Sequence, residues 1–116
     1  MSMNIGTRFV DCTHGIPAAG VSCRLDWFAA GAWVPRATGT TGRDGEVTGW
    51  APERSTPYEP GRYRVVIDCG TYFAELGIAT CLPEISIVFV MAQPDRRYHV
   101  EVMASAYGYG VYCGTA

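Results

Sequence analysis

The sequence contains no apolar run near the roughly 18 to 20 residues that a membrane-spanning helix needs, so no such helix is expected. Residues Met1 to Gly6 lack the charged and apolar segments of a secretory leader, and the expected location is the cytoplasm. Basic charge is not in excess: nine Lys plus Arg stand against eleven Asp plus Glu, giving a net charge of −2. The basic residues are spread from Arg8 to Arg97, which argues against a broad nucleic-acid-binding stripe. Five cysteines form an odd set without C-x-x-C spacing, so neither a disulfide framework nor a zinc ribbon is expected. They read as small buried hydrophobes in a reducing compartment, with Cys113 set apart as a nucleophile should a cation or His lower its pKa. With two histidines and no paired-ligand motif, no metal is expected. The chain also lacks internal repeats, linkers and low-complexity tracts.

What is present is a core-forming composition. The 116 residues are 48% hydrophobic and 17% charged, enough for one domain spanning 1–116 and too few for a second. Val21, Cys23, Leu25 and Trp27 alternate with Ser22, Arg24 and Asp26, the period of a strand with one buried face. Tyr63, Val65 and Ile67 repeat the pattern, as do Tyr98, Val100, Val102 and Ala104. Ile85, Ile87, Phe89 and Met91 do so as well, but Val88 and Val90 lie on the other face, so cover on both sides is expected there.

Turn clusters at Gly15-Ile16-Pro17, Gly42 to Gly45, Pro57 to Gly61 and Pro94-Asp95 divide the runs. The predicted strands are 7–12, 21–28, 32–38, 46–50, 62–69, 84–92, 97–105 and 107–113. One short helix is predicted over Thr71 to Leu76, closed by Gly77. These elements predict an all-β fold, an eight-stranded antiparallel sandwich of two four-stranded sheets. The aromatic run Tyr107 to Tyr112 suits an edge strand that could pair with another subunit.

An ordered set of motifs adds to this reading. Asp11, His14-Gly15-Ile16-Pro17-Ala18-Ala19-Gly20-Val21, Thr40 to Gly45, Gly61-Arg62-Tyr63, Tyr72-Phe73, Pro83-Glu84-Ile85, Tyr98-His99-Val100 and Ser105 to Tyr109 run in register along nearly the whole chain. Together they resemble the transthyretin-like proteins, whose enzymatic branch is 5-hydroxyisourate hydrolase. The resemblance implies a transthyretin-like sandwich assembled through edge strands into a homotetramer, with sites where subunits meet around a central channel. It further implies hydrolytic opening of a small heterocycle, the urate-oxidation product 5-hydroxyisourate, without metal or cofactor.

The hydrolase motif has a His on the first strand, an Arg after the Asp-Gly turn, a His-Tyr-His-Val-Pro segment and a Tyr-Arg-Gly-Ser tail. Here Arg8, Glu46 and Tyr112-Cys113-Gly114-Thr115 stand at those places, Arg97 replaces the first His of the segment, and Glu101 replaces its Pro. Only His99 is retained. Arg8, Glu46 and Arg96-Arg97-Tyr98 look more like transthyretin, whereas His99 and the short ending look like the hydrolase.

Alternation puts His99, Glu101 and Met103 on the face opposite Tyr98, Val100 and Val102. The family register adds Arg8, Val10, Glu46, Gly110 and Tyr112 to the same cavity. The candidate catalytic residues are therefore His99, Glu46, Glu101 and Arg8, and the candidate substrate-binding residues are Tyr112, Cys113, Thr115, Met103, Val10 and Gly110. An imidazole beside carboxylates can move protons near neutral pH, two carboxylates sharing one channel can shift each other, and Arg8 can offset them or bind an anion. Each residue also has a plain structural reading: His99 as a hydrogen-bonded surface residue, Glu46 and Glu101 as solvated charges, and His14 as turn chemistry.

Three functions stay open at this point. The first is a diverged enzyme performing ring opening, cyclisation or tautomerisation on a small heterocyclic substrate; the second is hydroxyisourate hydrolysis itself. The third is noncatalytic binding of a small ligand by a transthyretin-like tetramer.

Overall fold

The computed structural model describes residues 5–47, 50–52, 58–93 and 95–115. Along the chain run β1 (Ile5–Asp11), β2 (Ile16–Pro17), β3 (Ser22–Ala29), β4 (Ala32–Thr40), β5 (Glu46–Val47) and β6 (Ala51–Pro52). They are followed by β7 (Gly61–Ile67), α1 (Cys69–Glu75), β8 (Ile85–Met91), β9 (Tyr98–Ser105) and β10 (Gly108–Thr115). One sheet has the order β10-β9-β1-β2, with β5 also paired to β1; the other has the order β6-β4-β3-β7-β8. The result is the expected all-β sandwich with one short helix.

Period-two alternation explains which face of each strand is covered. Ile5, Phe9, Val100 and Val102 from the first sheet meet Leu25, Tyr63, Val65 and Ile67 from the second, and Phe73 of α1 joins the same core. The buried Tyr63 hydroxyl donates to the Glu59 carbonyl at 2.6 Å, which lets the polar end of a large ring sit at the core's edge. Gly45 makes the Asp44-Gly45 turn possible: its φ is 80°, and a Cβ there would stand 2.5 Å from the Phe9 carbonyl oxygen.

Several expectations change with tertiary context. Each sheet has five strands, because the two-residue strands β2, β5 and β6 join the longer ones. The β1–β9 pair is parallel, unlike the antiparallel pairs around it. Of the predicted strand 46–50 only Glu46–Val47 pairs with β1, while Thr48 and Gly49 lie outside the described residues, as do Pro57 and Pro94 of two predicted turns.

Helix α1 begins at Cys69, inside the predicted strand 62–69, because the Asp68 carboxylate caps it: Oδ1 accepts from the Thr71 N–H at 3.3 Å and Oδ2 from its hydroxyl at 2.8 Å. Gly77, at φ 72°, follows its end. Strand β8 is an edge strand whose outer face is open; Val88 and Val90 are exposed, against the expectation of cover on both sides. Cys23 and Cys69 are buried as expected, but Cys12, Cys81 and Cys113 are exposed.

Asp26, expected on the polar face of β3, is buried beneath two guanidiniums. Arg24 Nε donates to Oδ1 at 2.8 Å and Arg64 Nη2 to Oδ2 at 2.6 Å, satisfying a carboxylate that would be costly to bury alone. Among the described residues no helix is long and apolar enough to cross a membrane.

Candidate functional site

Residues paired directly across a sheet project to the same face, so strand register alone assembles the site. One rung runs Glu46–Arg8–Glu101–Tyr112 across β5, β1, β9 and β10. On one side lies the rung Gly6–His99–Gly114, and on the other the rung Val10–Met103–Gly110. Eight of the ten expected residues thus share the outer face of one sheet: His99, Glu101, Met103, Arg8, Val10, Glu46, Gly110 and Tyr112. Cys113 and Thr115 do not join them. They pair with Val100 and Tyr98, whose side chains are buried on the core side, and so occupy the opposite face of β10.

The charged rung has a definite order. Arg8 Nε donates to the Asp44 carbonyl at 3.2 Å, tying this guanidinium to the Asp-Gly turn, while Arg8 Nη1 lies 3.9 Å from Glu101 Oε1. Glu46 is fixed through its backbone, whose N–H donates to Asp44 Oδ1 at 3.0 Å; among the described residues its carboxylate makes no ion pair. With Arg8 between them, the two carboxylates are two strand spacings apart, about 10 Å at the backbone. The expected sharing of one site by Glu46 and Glu101 is therefore replaced by two carboxylates flanking a cation.

His99 Nε2 lies 3.4 Å from Glu101 Oε1, and both side chains are a little over one quarter exposed. This oxygen also faces Arg8, so Glu101 links the imidazole to the guanidinium. The ring stands between two residues without Cβ atoms, Gly6 on β1 and Gly114 on β10. A Cβ on Gly114 would stand 2.7 Å from the Tyr112 Oη, so the phenol folds back over Gly114. A Cβ on Gly6 would stand 3.4 Å from His99 Nδ1 and 3.5 Å from Arg97 Nη2. Nε2 is thus directed toward a carboxylate, and Nδ1 lies over Gly6 beside a second cation.

Arg97, Gly6 and Gly114 were not among the expected site residues. The signal for Arg97 was its replacement of a motif His; the glycines became visible only through register. Cys113 is a poor nucleophile: although the residue is exposed, desolvation of its thiol pushes it up, and it projects from the face of β10 opposite His99.

The second histidine belongs to another cluster. Asp11, completely buried, accepts from the Thr13 and His14 N–H groups at 2.9 and 3.1 Å, from His14 Nδ1 at 2.7 Å and from the Tyr72 hydroxyl at 2.7 Å. Burial pulls its carboxyl upward, but these hydrogen bonds outweigh that and hold it below the usual value. Burial, and then Asp11 itself, push the Tyr72 phenol up to about 12. The cluster pins the β1–β2 turn to α1, in keeping with the structural reading of His14.

Comparison with known proteins follows the same lines as the geometry. Residues 5–114 match the HIUase/Transthyretin family. The chain is 33% identical over 111 residues to a 5-hydroxyisourate hydrolase of Salmonella dublin, spanning 96% of this chain and 80% of that protein. It is 29% identical over 118 residues to the 5-hydroxyisourate hydrolase of Mus musculus, spanning 98% and 97%. Sea bream transthyretin, solved in complex with thyroxine, superposes with a TM-score of 0.86 at 27% identity, covering 97% of this chain and 96% of that one. By sequence and by fold alike, over nearly its whole length, the chain belongs to the HIUase/transthyretin family.

Proposed function

We propose that this protein is a cofactor-independent hydrolase of the 5-hydroxyisourate hydrolase type, opening a small cyclic amide or ureide by acid–base chemistry at His99. The observation that carries the reading is the orientation of one imidazole, with Nε2 toward Glu101 at 3.4 Å and Nδ1 toward the space over Gly6. Donation of Nε2–H to Glu101 leaves the Nδ1 lone pair available as a base. His99 Nδ1 takes a proton from water as the water oxygen bonds to a ring carbonyl carbon, and the carbonyl π electrons move to its oxygen. When the carbonyl re-forms, the ring C–N bond breaks and the departing nitrogen takes that proton from His99. One water is added and the ring is open.

Glu101 has the role of holding the tautomer and stabilising the imidazolium, while Arg8, anchored on the Asp44 carbonyl, holds Glu101 in place. Tyr112, Met103, Val10 and Gly110 shape the surrounding wall. Glu46 stands where the hydrolase motif has a cation, so the favoured substrate is a heterocycle related to 5-hydroxyisourate, with 5-hydroxyisourate itself as the alternative. The reading includes a cytoplasmic homotetramer in which sites lie between subunits. Edge strands β8 and β10, with the turn before β10, support assembly, since they leave Val88, Val90, Tyr107, Tyr109, Val111 and Tyr112 exposed.

Ligand carriage without turnover is a second reading, favoured by the likeness to a transthyretin solved with thyroxine. Decay of freshly generated 5-hydroxyisourate, followed by ultraviolet absorbance, tests the first reading. Where 5-hydroxyisourate is accepted alongside the favoured relative, wild type exceeds the spontaneous rate and His99→Ala does not. A wild-type rate equal to background removes the family reaction, and activity retained in His99→Ala removes the assigned base.

A further inference from the structure

Two side-chain nitrogens and one backbone carbonyl converge on the same small volume above the β1 backbone. From the position a Gly6 Cβ would occupy, His99 Nδ1 is 3.4 Å away, Arg97 Nη2 is 3.5 Å away and the Tyr98 carbonyl oxygen is 3.9 Å away. Neither His99 Nδ1 nor the Arg97 guanidinium has a hydrogen-bond or ion-pair partner among the described residues; the imidazole's one contact, to Glu101, is through Nε2. A guanidinium carries five N–H donors and no acceptor, so an exposed one with no protein partner, beside an imidazole, is free to exchange water for a negatively charged oxygen. Because residue 6 is glycine, no side chain of β1 stands between these groups.

We propose that the space over Gly6 is an oxyanion subsite, in which Arg97 and the imidazolium form of His99 together hold a negatively charged substrate oxygen. The inference rests on the hydrolytic reading for its role in catalysis. When Nδ1 takes the proton from water, positive charge appears on His99 as negative charge appears on the former carbonyl oxygen. Arg97 Nη2 stands where it can donate to that oxygen. A preset donor aimed at charge that develops during reaction accelerates the chemical step more than it tightens substrate binding. Arg97 therefore replaces a motif His with a permanent cation, on the side of the imidazole opposite the Glu101 carboxylate.

The geometry also supplies a clean variant. The contacts a Gly6 Cβ would make are of ordinary van der Waals length, so Gly6→Ala fits the strand while occupying the subsite. Arg97 is exposed, and Arg97→Gln removes the charge without opening the core. The binding probe is sodium acetate, titrated against sodium chloride at constant ionic strength and about pH 6. The readout is the ring proton resonances of the two histidines, with His99→Asn identifying each.

Acetate is expected to move the His99 resonance and leave that of His14 in place. Gly6→Ala and Arg97→Gln are each expected to weaken the response about tenfold. Equal acetate affinity in wild type and both variants overturns the subsite, as does an equal chloride response in wild type. In the hydrolysis assay the two variants are expected to lower kcat by about ten- to a hundredfold with KM little changed. A loss confined to KM overturns the oxyanion role. If wild type shows no hydrolysis while the acetate response behaves as described, the catalytic reading fails and the anion subsite stands.

Discussion

The chain has two imidazoles, each facing a carboxylate, and the pairs differ in what surrounds the carboxylate. At the β1–β2 turn, Asp11 is buried and receives four donors, the nearest at 2.7 Å, so His14 is one of several groups neutralising a saturated acceptor. On the sheet face, Glu101 is partly exposed, stands 3.4 Å from His99 and 3.9 Å from Arg8, and leaves the second imidazole nitrogen without a hydrogen-bond partner among the described residues. The first arrangement spends its polarity on holding a turn against a helix. The second leaves groups able to change protonation state and partners, which is what acid–base chemistry requires. Proximity of His to a carboxylate therefore says little until the remaining donors and acceptors have been accounted for.

Deleting each imidazole gives the largest contrast. His99→Ala is expected to lower the hydrolytic rate by about 100- to 10,000-fold, whereas His14→Ala is expected to keep the wild-type rate in the same assay. A comparable loss from both would erase the distinction. Stability is expected to respond in the opposite sense. Asp11→Asn presents an amide donor to groups that are themselves donors and is expected to cost about 2–3 kcal/mol. Glu101→Gln, at a partly exposed pair, is expected to stay within about 0.5 kcal/mol. Urea unfolding midpoints measure both.

The pH dependence of stability sharpens the same contrast. The folded-state value of Asp11 lies below its unfolded value, so its contribution is complete above about pH 4 and is lost as pH falls through the folded value. Tyr72 is raised, so its contribution is complete below about pH 10 and is lost as pH rises through about 12. Asp11→Asn is expected to flatten both limbs of the stability profile, and Tyr72→Phe the alkaline one. An unchanged acid limb in Asp11→Asn would contradict the assignment. The smallest expected effect is at Cys113, whose thiol is raised by burial and faces away from His99. Cys113→Ser is expected to leave the hydrolytic rate unchanged, and an activity loss would return that residue to the site.

Much of the fold was legible because alternation is a local property. Val21 to Trp27, Tyr63 to Ile67 and Tyr98 to Ala104 predict their strands and covered faces within a residue or two. The same parity separates His99 and Glu101 from Val100 and Val102, and it also removes Cys113 and Thr115 from the site once they are placed on β10 opposite Val100 and Tyr98. Val88 and Val90 misled because apolarity does not reveal whether a neighbouring layer covers it. Helix α1 starts two residues early because one capping carboxylate at Asp68 outweighs a strand pattern that could have continued.

The sequence by itself determined the long strands, most turns, the family and the set of side chains from which a site can be built, since each depends on residue type and short spacing. Only the tertiary structure decided that Arg8 separates Glu46 from Glu101, that two glycines flank His99, and that Arg97 meets Nδ1 over one of them. The physical reason is register. Sliding β9 by one residue along β1 would keep every local propensity while turning each side chain to the other face, and burial of the common core selects the register that brings this site together.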